Sequence, residues 1–249
     1  MPVAATATLA SAMVLLGVGK TLSARYYAQW DLFEAQFPRY IYDYAPPEIM
    51  ALRTVLYTPP VSNSPGRIAK DVAKLGTDLL LLTEAALQWQ QGNEKDWTLP
   101  DPTPNRMELL VVDEADRLKM PGLEQVRDLY DRSPMGLVLI GMPGIEKRLA
   151  RFAQLYSRVG FVHQFHALSL DETHFILTQK WQQLGLNLQP EDFTDAEAVA
   201  AIIRITGGNF RLIQRLLTQI ERILQINELR TVTKEVVEAA RENLVIGLT

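Results

Sequence analysis

Residues 12–21 read AMVLLGVGKT, a short apolar run that passes directly into a glycine-rich turn. Apolar runs of this length, rich in valine and leucine, are typical of strands that are buried on both faces of a parallel sheet. Similar runs follow at residues 53–58, 107–112, 136–141 and 159–163, and helix-like stretches separate them. This alternation predicts βαβ crossovers and therefore an α/β domain built on a five-stranded parallel sheet.

The turn after the first run matches most of the phosphate-loop pattern G-x-x-x-x-G-K-[ST]. In that pattern backbone N–H groups cradle phosphate oxygens, the lysine reaches the β- and γ-phosphates, and the hydroxyl ligates Mg²⁺. Lys20 and Thr21 fill the last two positions, but Val14 replaces the first glycine, and a β-branched residue tolerates positive φ poorly. A chance Gly-Lys-Thr after a strand is the alternative interpretation. The expected nucleotide-binding residues of this segment are Gly17, Val18, Gly19, Lys20, Thr21 and Leu22.

The third apolar run ends in a pair of carboxylates, in the sequence LLVVDEAD of residues 109–116. At the carboxyl end of a parallel strand, Asp113 would lie beside the phosphate loop and hold Mg²⁺ through water. Glu114 would face the γ-phosphate and polarise the attacking water as a general base. A solvated turn after a core strand is the alternative. Because Lys20 and Thr21 lie upstream, the sequence favours nucleotide binding, with ATP and Mg²⁺ as cofactors.

Arginines that could complete such a site lie further along the chain. Arg158 follows a predicted helix over residues 145–155 and could reach the γ-phosphate bound by a neighbouring subunit. Arg148 and Arg151 on the same predicted helix compete with it for this role. Arg211 lies in the first turn of another predicted helix, where a cation opposes the helix dipole and so suggests an anionic partner such as phosphate. Each could equally be an ordinary surface arginine.

Strand-like runs stop after residue 168, and helical patterns take over. The predicted helix starts are Ser169, Thr194, Phe210 and Thr233. The first two head a capping-box pattern, in which Ser or Thr is followed three residues later by Glu. Residues 210–226 carry apolar side chains at helical spacing. The sequence therefore predicts a phosphate-loop α/β domain over residues 1–168 and a small all-helical lid domain over residues 169–249.

The composition of the 249 residues is that of an ordinary globular protein, with 47% hydrophobic and 22% charged residues. A net charge of −4 excludes a histone-like protein, so any nucleic-acid site must be a local patch or arise by oligomerisation. Cysteine is absent, which excludes disulfides, Cys-ligated zinc and thiol catalysis. Residues 1–16 lack the basic start of a secretory signal, and no run reaches the ~18–20 apolar residues of a membrane span. We therefore expect a cytoplasmic protein with no membrane partner.

Together these motifs resemble an AAA+ ATPase over nearly the whole chain. The segments DEADRLK (113–119), LVLIG (137–141) and GGNFR (207–211) are most similar to transposition ATPases of the TniB/TnsC type, with MuB and the IstB helper ATPases as more distant relatives. The resemblance implies a helper protein that binds double-stranded DNA with ATP, forms homo-oligomeric rings or filaments, and recruits or activates a transposase for target-site selection. The assignments it implies are Walker A for Lys20 and Thr21, Walker B for Asp113 and Glu114, the arginine finger for Arg158, and sensor 2 for Arg211.

Three basic residues, Arg67, Lys70 and Lys74, stand at spacings of three and four on the helix predicted after residues 64–66. By the resemblance, the corresponding region faces the central channel and contacts the DNA backbone. Phosphate contacts of this kind are sensitive to salt and insensitive to base sequence. The alternative is a solvated helix face that is balanced by Asp71.

The chain departs from the family pattern in three places. Val14 replaces a Walker A glycine, residues 1–12 do not resemble the usual N-terminal segment, and the sensor-1 position near Gly141 and Met142 lacks a polar side chain. Two further hypotheses therefore stay open. The first is a degenerate nucleotide-binding scaffold with little turnover, and the second is an AAA+ ATPase of another system, such as secretion or partner loading.

Overall fold

The structure, a computed structural model, describes residues 9–14, 19–36, 46–92, 107–186, 188–189 and 191–244, with the backbone alone for residues 9–14. The expected phosphate-loop residues Gly17 and Val18 lie outside the described residues. The chain divides into two compact units: Met1–Val14 with Lys20–Gln164, and Leu15–Gly19 with Phe165–Thr249.

The first unit is built on a sheet of five strands. They are β1 (Leu9–Val14), β2 (Thr54–Tyr57), β3 (Leu109–Val112), β4 (Gly136–Gly141) and β5 (Val159–Phe165). Their order across the sheet is β2-β3-β4-β1-β5, and parallel pairing joins β2 to β3, β3 to β4 and β4 to β1. The predicted α/β architecture with a parallel sheet is thus confirmed. β1 begins three residues before the predicted run because Leu9 already pairs with Leu137 of β4.

The helices of this unit are α1 (Lys20–Tyr27), α2 (Trp30–Glu34), α3 (Pro65–Gln90), α4 (Met120–Arg132), α5 (Ile145–Leu149) and α6 (Ala153–Tyr156). The single helix predicted over residues 145–155 is wrong, because α5 and α6 are separate. Leu149 and Leu155 are both buried, yet six residues of one straight helix would turn them about 120° apart. The break lets both side chains enter the core. No helix among the described residues combines the length and apolarity that a membrane span needs.

The second unit contains α7 (Leu170–Gln183), α8 (Phe193–Thr206), α9 (Phe210–Ile226) and α10 (Lys234–Glu242). Its core includes the buried side chains of Leu177, Trp181, Ile202, Ile213, Leu216, Ile220 and Val237. The capping box at Ser169 is confirmed: its hydroxyl accepts the N–H of Glu172, and the Glu172 carboxylate accepts the N–H of Ser169.

The second predicted capping box, at Thr194 and Glu197, is wrong. The carboxylate of Asp192 accepts the N–H groups of Thr194 and Asp195, so α8 begins two residues before the predicted start. An aspartate caps at least as well as a threonine, and the earlier start adds helical residues. The local pattern offered both caps, and the fold uses the first.

Two consecutive glycines join α8 to α9. Gly207 has φ +54° and Gly208 has φ +74°, a region that favours glycine. The N–H of Leu168 donates to the carbonyl of Gly208 at 2.9 Å, and a Cβ added to Gly208 would lie only 2.3 Å from the carbonyl oxygen of Leu168. Asn209 then caps α9 by accepting the N–H of Leu212. The Gly-Gly-Asn motif is therefore a packed turn that sets the start of α9.

Candidate nucleotide-binding site

The carboxyl ends of β3 and β4 meet the start of α1. Lys20 is the first residue of α1, and its Nζ donates to the carbonyl oxygen of Gly141, at the end of β4, at 2.8 Å. Thr21 Oγ1 donates to Asp113 Oδ2, just past the end of β3, at 2.6 Å. Because β1, β3 and β4 are neighbouring parallel strands, their carboxyl ends lie on one edge of the sheet, where α/β folds bind ligands. The structure thus brings together three of the site residues that the sequence predicts.

The geometry of Asp113 fits a Mg²⁺ site. Asp113 is only 3% exposed. Its Oδ1 accepts the N–H of Glu114 at 2.9 Å, and its Oδ2 accepts the hydrogen bond from the Thr21 hydroxyl. The two hydrogen bonds fix the carboxylate beside the hydroxyl. Hydroxyl and carboxylate oxygens are the hard ligands that Mg²⁺ takes, usually together with water and phosphate. Thr21 and Asp113 would therefore hold the ion, and Lys20 the phosphates.

Gly19 supplies the backbone freedom that the loop needs next to this pair. It has φ +91°, where a side chain would be strained. Gly19 belongs to the same compact unit as α9, and a Cβ added to it would lie 3.3 Å from the ring of Phe210.

Arg211, the predicted sensor 2, follows Phe210 directly and is exposed in the first turn of α9. Leu22, the last predicted nucleotide-binding residue of the loop, is also exposed, on α1.

Glu114, the predicted general base, forms an ion pair that the sequence analysis did not predict. Its backbone has φ +52°, and its carboxylate forms an ion pair with Arg117 of the 3₁₀ turn that follows, Ala115–Arg117. Arg117 also donates to the carbonyl oxygen of Pro59, in the loop between β2 and α3, at 3.0 Å. A non-glycine residue at positive φ costs about 1–2 kcal/mol, so the surrounding contacts must hold this turn. The spacing of three between Glu114 and Arg117 was the available signal.

Asp116 lies against the end of β4, where the sequence lacks a polar side chain near Gly141 and Met142. Its Oδ1 accepts the N–H of Met142 at 3.1 Å, and a Cβ added to Gly141 would lie 3.3 Å from the same oxygen. Gly141 is buried, so the strand end has little room for a larger residue. Ile145 Cδ1 would lie still closer to that Cβ, at 2.5 Å, so Ile145 and the Asp116 carboxylate of the 3₁₀ turn after β3 together fill the space beside Gly141.

The three arginines that compete for the arginine-finger role have different surroundings. Arg148 donates to the carbonyl oxygens of Asp116 and Leu118, so it ties α5 to the turn after β3. Arg151 is exposed between α5 and α6. Arg158 forms a two-point ion pair with Asp131 of α4, with Nε–Oδ1 at 2.6 Å and Nη2–Oδ2 at 2.9 Å.

The Arg158 guanidinium lowers the pKa of Asp131 below its ordinary value, chiefly through this hydrogen bond. Within one chain Arg158 is therefore held by α4. To act on another subunit it would have to leave Asp131.

The predicted basic row on α3 is confirmed as an exposed helix face. Arg67, Lys70 and Lys74 are all exposed, and Arg67 Nε lies 3.5 Å from Asp71 Oδ2. Burial raises the pKa of Tyr57, at the end of β2, to about 12, and the negative charge of Asp71 adds to this effect. Asp71 thus offsets part of the positive charge of this face.

The comparison with protein families matches the segment that contains this site. The AAA domain family matches residues 13–149, which contain the Lys20, Thr21 and Asp113 cluster. The chain belongs to the AAA domain family. This is an ATP-binding family with a phosphate-loop α/β fold, so the coarse part of the sequence-based identification is confirmed.

Two curated relatives are similar to this chain in sequence. A "Potential ATP-binding protein" of Staphylococcus aureus is 44% identical over 236 residues, which cover 93% of this chain and 86% of that protein. The Mu-like prophage FluMu DNA transposition protein B of Haemophilus influenzae is 32% identical over 114 residues. That match covers 42% of this chain and only 36% of the transposition protein, so it is a partial likeness.

Two solved structures illustrate the likeness of this chain in fold. The Thermotoga maritima RuvB Holliday junction branch migration motor superposes with a TM-score of 0.59 at 17% identity, and the Aeropyrum pernix ORC2 protein with 0.59 at 13%. The matches cover 95% and 99% of this chain, which spans 62% and 64% of those two chains. At such identities the likeness establishes the fold alone.

Proposed function

We propose that the chain is a Mg²⁺-dependent ATPase that assembles as a homo-oligomeric ring or filament on double-stranded DNA in the cytoplasm and assists a transposase in selecting its target. The observation that carries the nucleotide part is the hydrogen bond of 2.6 Å between Thr21 and Asp113, beside Lys20. The DNA part is supported by the exposed basic row of α3 and by the partial likeness to a DNA transposition protein.

Each site residue has a defined task in this proposal. Lys20 would bind phosphate oxygens, and Thr21 and Asp113 would hold the Mg²⁺, which neutralises phosphate charge when bound. Glu114 would accept a proton from the attacking water once its carboxylate is released from Arg117. Arg158 of a neighbouring copy would stabilise the charge that develops during hydrolysis.

The helical unit is proposed as the lid domain, with Arg211 as its contact to the nucleotide. The basic row Arg67, Lys70 and Lys74 would contact DNA phosphates. Because such contacts are weak singly, assembly of several copies on one duplex would multiply them and would explain how an acidic chain binds DNA.

The test measures binding of a labelled DNA duplex with ATP, with ADP and without nucleotide. We expect tight binding only with Mg²⁺ and ATP, and its loss in Lys20→Ala. The triple variant R67Q/K70Q/K74Q should weaken binding and lower the salt dependence of the affinity, by about one unit of slope for each lost phosphate contact. The control R132Q/K147Q/K234Q removes the same charge from exposed positions elsewhere. Equal loss in the two triple variants, or no DNA binding with ATP at low salt, would refute the proposal.

A second candidate function is a nucleotide-binding scaffold with little turnover. The pairing of Glu114 with Arg117 favours it, because a carboxylate engaged by a guanidinium is not free to bind the attacking water. The departure at Val14 points the same way. Low ATP hydrolysis that rises in Val14→Gly or Arg117→Gln would support the scaffold, and ordinary hydrolysis by the unaltered protein with DNA would dismiss it.

A further inference from the structure

The outer face of α9 carries three arginines in one row. Arg211, Arg215 and Arg222 are all exposed. At about 100° per residue, spacings of four and seven place them within about 40° of one another around the helix axis, and the rise of ~1.5 Å per residue spreads them over about 16 Å. The opposite face of α9 is buried in the core of the helical unit through Ile213, Leu216, Leu217, Ile220 and Leu224. The direction of the row is therefore fixed by the packing of the helix.

These arginines have no counter-ion within the part of the chain that the structure describes. Arg204 and Arg241 of the same unit differ in this respect, because both pair with Glu238. The two basic helices also differ. In the row on α3, Arg67 Nε lies 3.5 Å from Asp71 Oδ2, whereas Glu221 is the one acidic residue of α9. The row on α9 thus has more uncompensated positive charge than the row that the sequence analysis selected.

A polyanion with an extended backbone fits this row best. Guanidinium groups bind phosphate in a two-point geometry, and a spread of about 16 Å is too long for one phosphate group. The positions between the arginines, Gln214 and Thr218, are exposed and polar. Between Arg211 and Arg222 no large apolar side chain of α9 is exposed, and Ile226 at the end of the helix is the one that is. A row with so little apolar surface lacks the aromatic and apolar anchors that carry affinity in protein–protein interfaces. The chemistry therefore favours a nucleic-acid backbone over an acidic protein.

We propose that Arg215 and Arg222 form a second contact to the phosphate backbone of double-stranded DNA, made by the helical unit in addition to α3. The inference rests on the DNA binding of the proposed function. It adds to it a phosphate contact on α9, and this contact is independent of base sequence.

The experiment compares two double variants that remove equal charge from the same unit. R215Q/R222Q removes arginines without counter-ions, and R204Q/R241Q removes arginines that Glu238 already compensates. Arg211 is left intact because it is a candidate nucleotide contact. Binding of a labelled duplex is measured by fluorescence anisotropy with Mg²⁺ and ATP, between about 50 and 200 mM salt. We expect R215Q/R222Q to weaken binding about tenfold and to lower the salt slope by about two, while R204Q/R241Q stays within about twofold of the unaltered protein.

Three outcomes overturn the inference. If R215Q/R222Q binds DNA like the unaltered protein, α9 makes no contact to the DNA backbone, and an acidic protein is the remaining class of partner. Equal weakening by both double variants indicates a general charge effect. Absence of DNA binding by the unaltered protein refutes the proposed function as well. If R67Q/K70Q/K74Q loses DNA binding but R215Q/R222Q keeps it, the α9 contact alone is refuted. Far-ultraviolet circular dichroism of both double variants establishes that the helices are intact.

Discussion

The two glycines before α9 give a sharp test of the fold, because they share a backbone conformation but differ in their surroundings. Gly207 and Gly208 have φ +54° and +74°, so an alanine at either is strained by about 1–2 kcal/mol. A Cβ on Gly207 meets nothing within 4 Å, whereas one on Gly208 would lie 2.3 Å from the carbonyl oxygen of Leu168. That atom is backbone and cannot rotate away.

The magnitudes follow from these contacts. Gly207→Ala should lower the free energy of unfolding by the conformational strain alone, about 1 kcal/mol. Gly208→Ala must also move the chain at Leu168 by roughly an ångström, which breaks the 2.9 Å hydrogen bond from Leu168 N–H to the Gly208 carbonyl. A buried hydrogen bond contributes about 0.5–1.5 kcal/mol, and overpacking costs about 1–3 kcal/mol. The expected total for Gly208→Ala is about 3–5 kcal/mol.

Urea unfolding followed by circular dichroism measures both variants, and hydrogen exchange of α8 and α9 localises the loss to the helical unit. We expect α9 to lose protection in Gly208→Ala and to keep most of it in Gly207→Ala. Losses that agree within about 0.5 kcal/mol would refute the steric argument. If Gly208→Ala does not fold while Gly207→Ala purifies normally, the predicted order of the two losses still holds.

Three further predictions concern the site and the helix beside it. Lys20→Ala should weaken Mg²⁺–ATP binding in calorimetry by at least about tenfold, because one phosphate contact is lost. The control Lys147→Ala, at an exposed position of α5, should bind Mg²⁺–ATP normally. Equal affinities of the two variants would contradict the role assigned to Lys20. Arg158→Ala should keep ATP binding but lower hydrolysis by the assembled protein by about 10³-fold, and Asp131→Asn, which releases Arg158, should not lower it; a similar loss in both variants would point to a structural role. Burial raises the pKa of Asp78 in α3, so the native state resists its ionisation and stability falls as pH rises above the ordinary carboxyl range. Asp78→Asn should therefore raise the melting temperature at neutral pH, with a gain that shrinks as pH falls toward 4, and a gain that does not change with pH would contradict this.

Several features of the site were open to prediction because they depend on short segments. The strand–turn–helix order around Lys20 and Thr21, and the carboxylates after β3, follow from apolar runs and motif spacing. The Ser169 capping box was predictable for the same reason, since all its hydrogen bonds lie within four residues. The predicted start of α8 was wrong because two good capping residues, Asp192 and Thr194, lie two positions apart, and local chemistry does not choose between them.

The sequence by itself determined the α/β class and the helical second half, and it predicted candidate residues for the nucleotide site. The tertiary structure decided which atoms meet: Thr21 with Asp113, Glu114 with Arg117, and Arg158 with Asp131. Apolar periodicity and motifs are properties of neighbouring residues, so they survive in the linear chain. A hydrogen bond or ion pair between residues 27 or 92 positions apart depends on strand order and helix packing, which only the folded chain fixes. The same holds for the row on α9, because whether an arginine has a counter-ion is decided by the elements that pack around it.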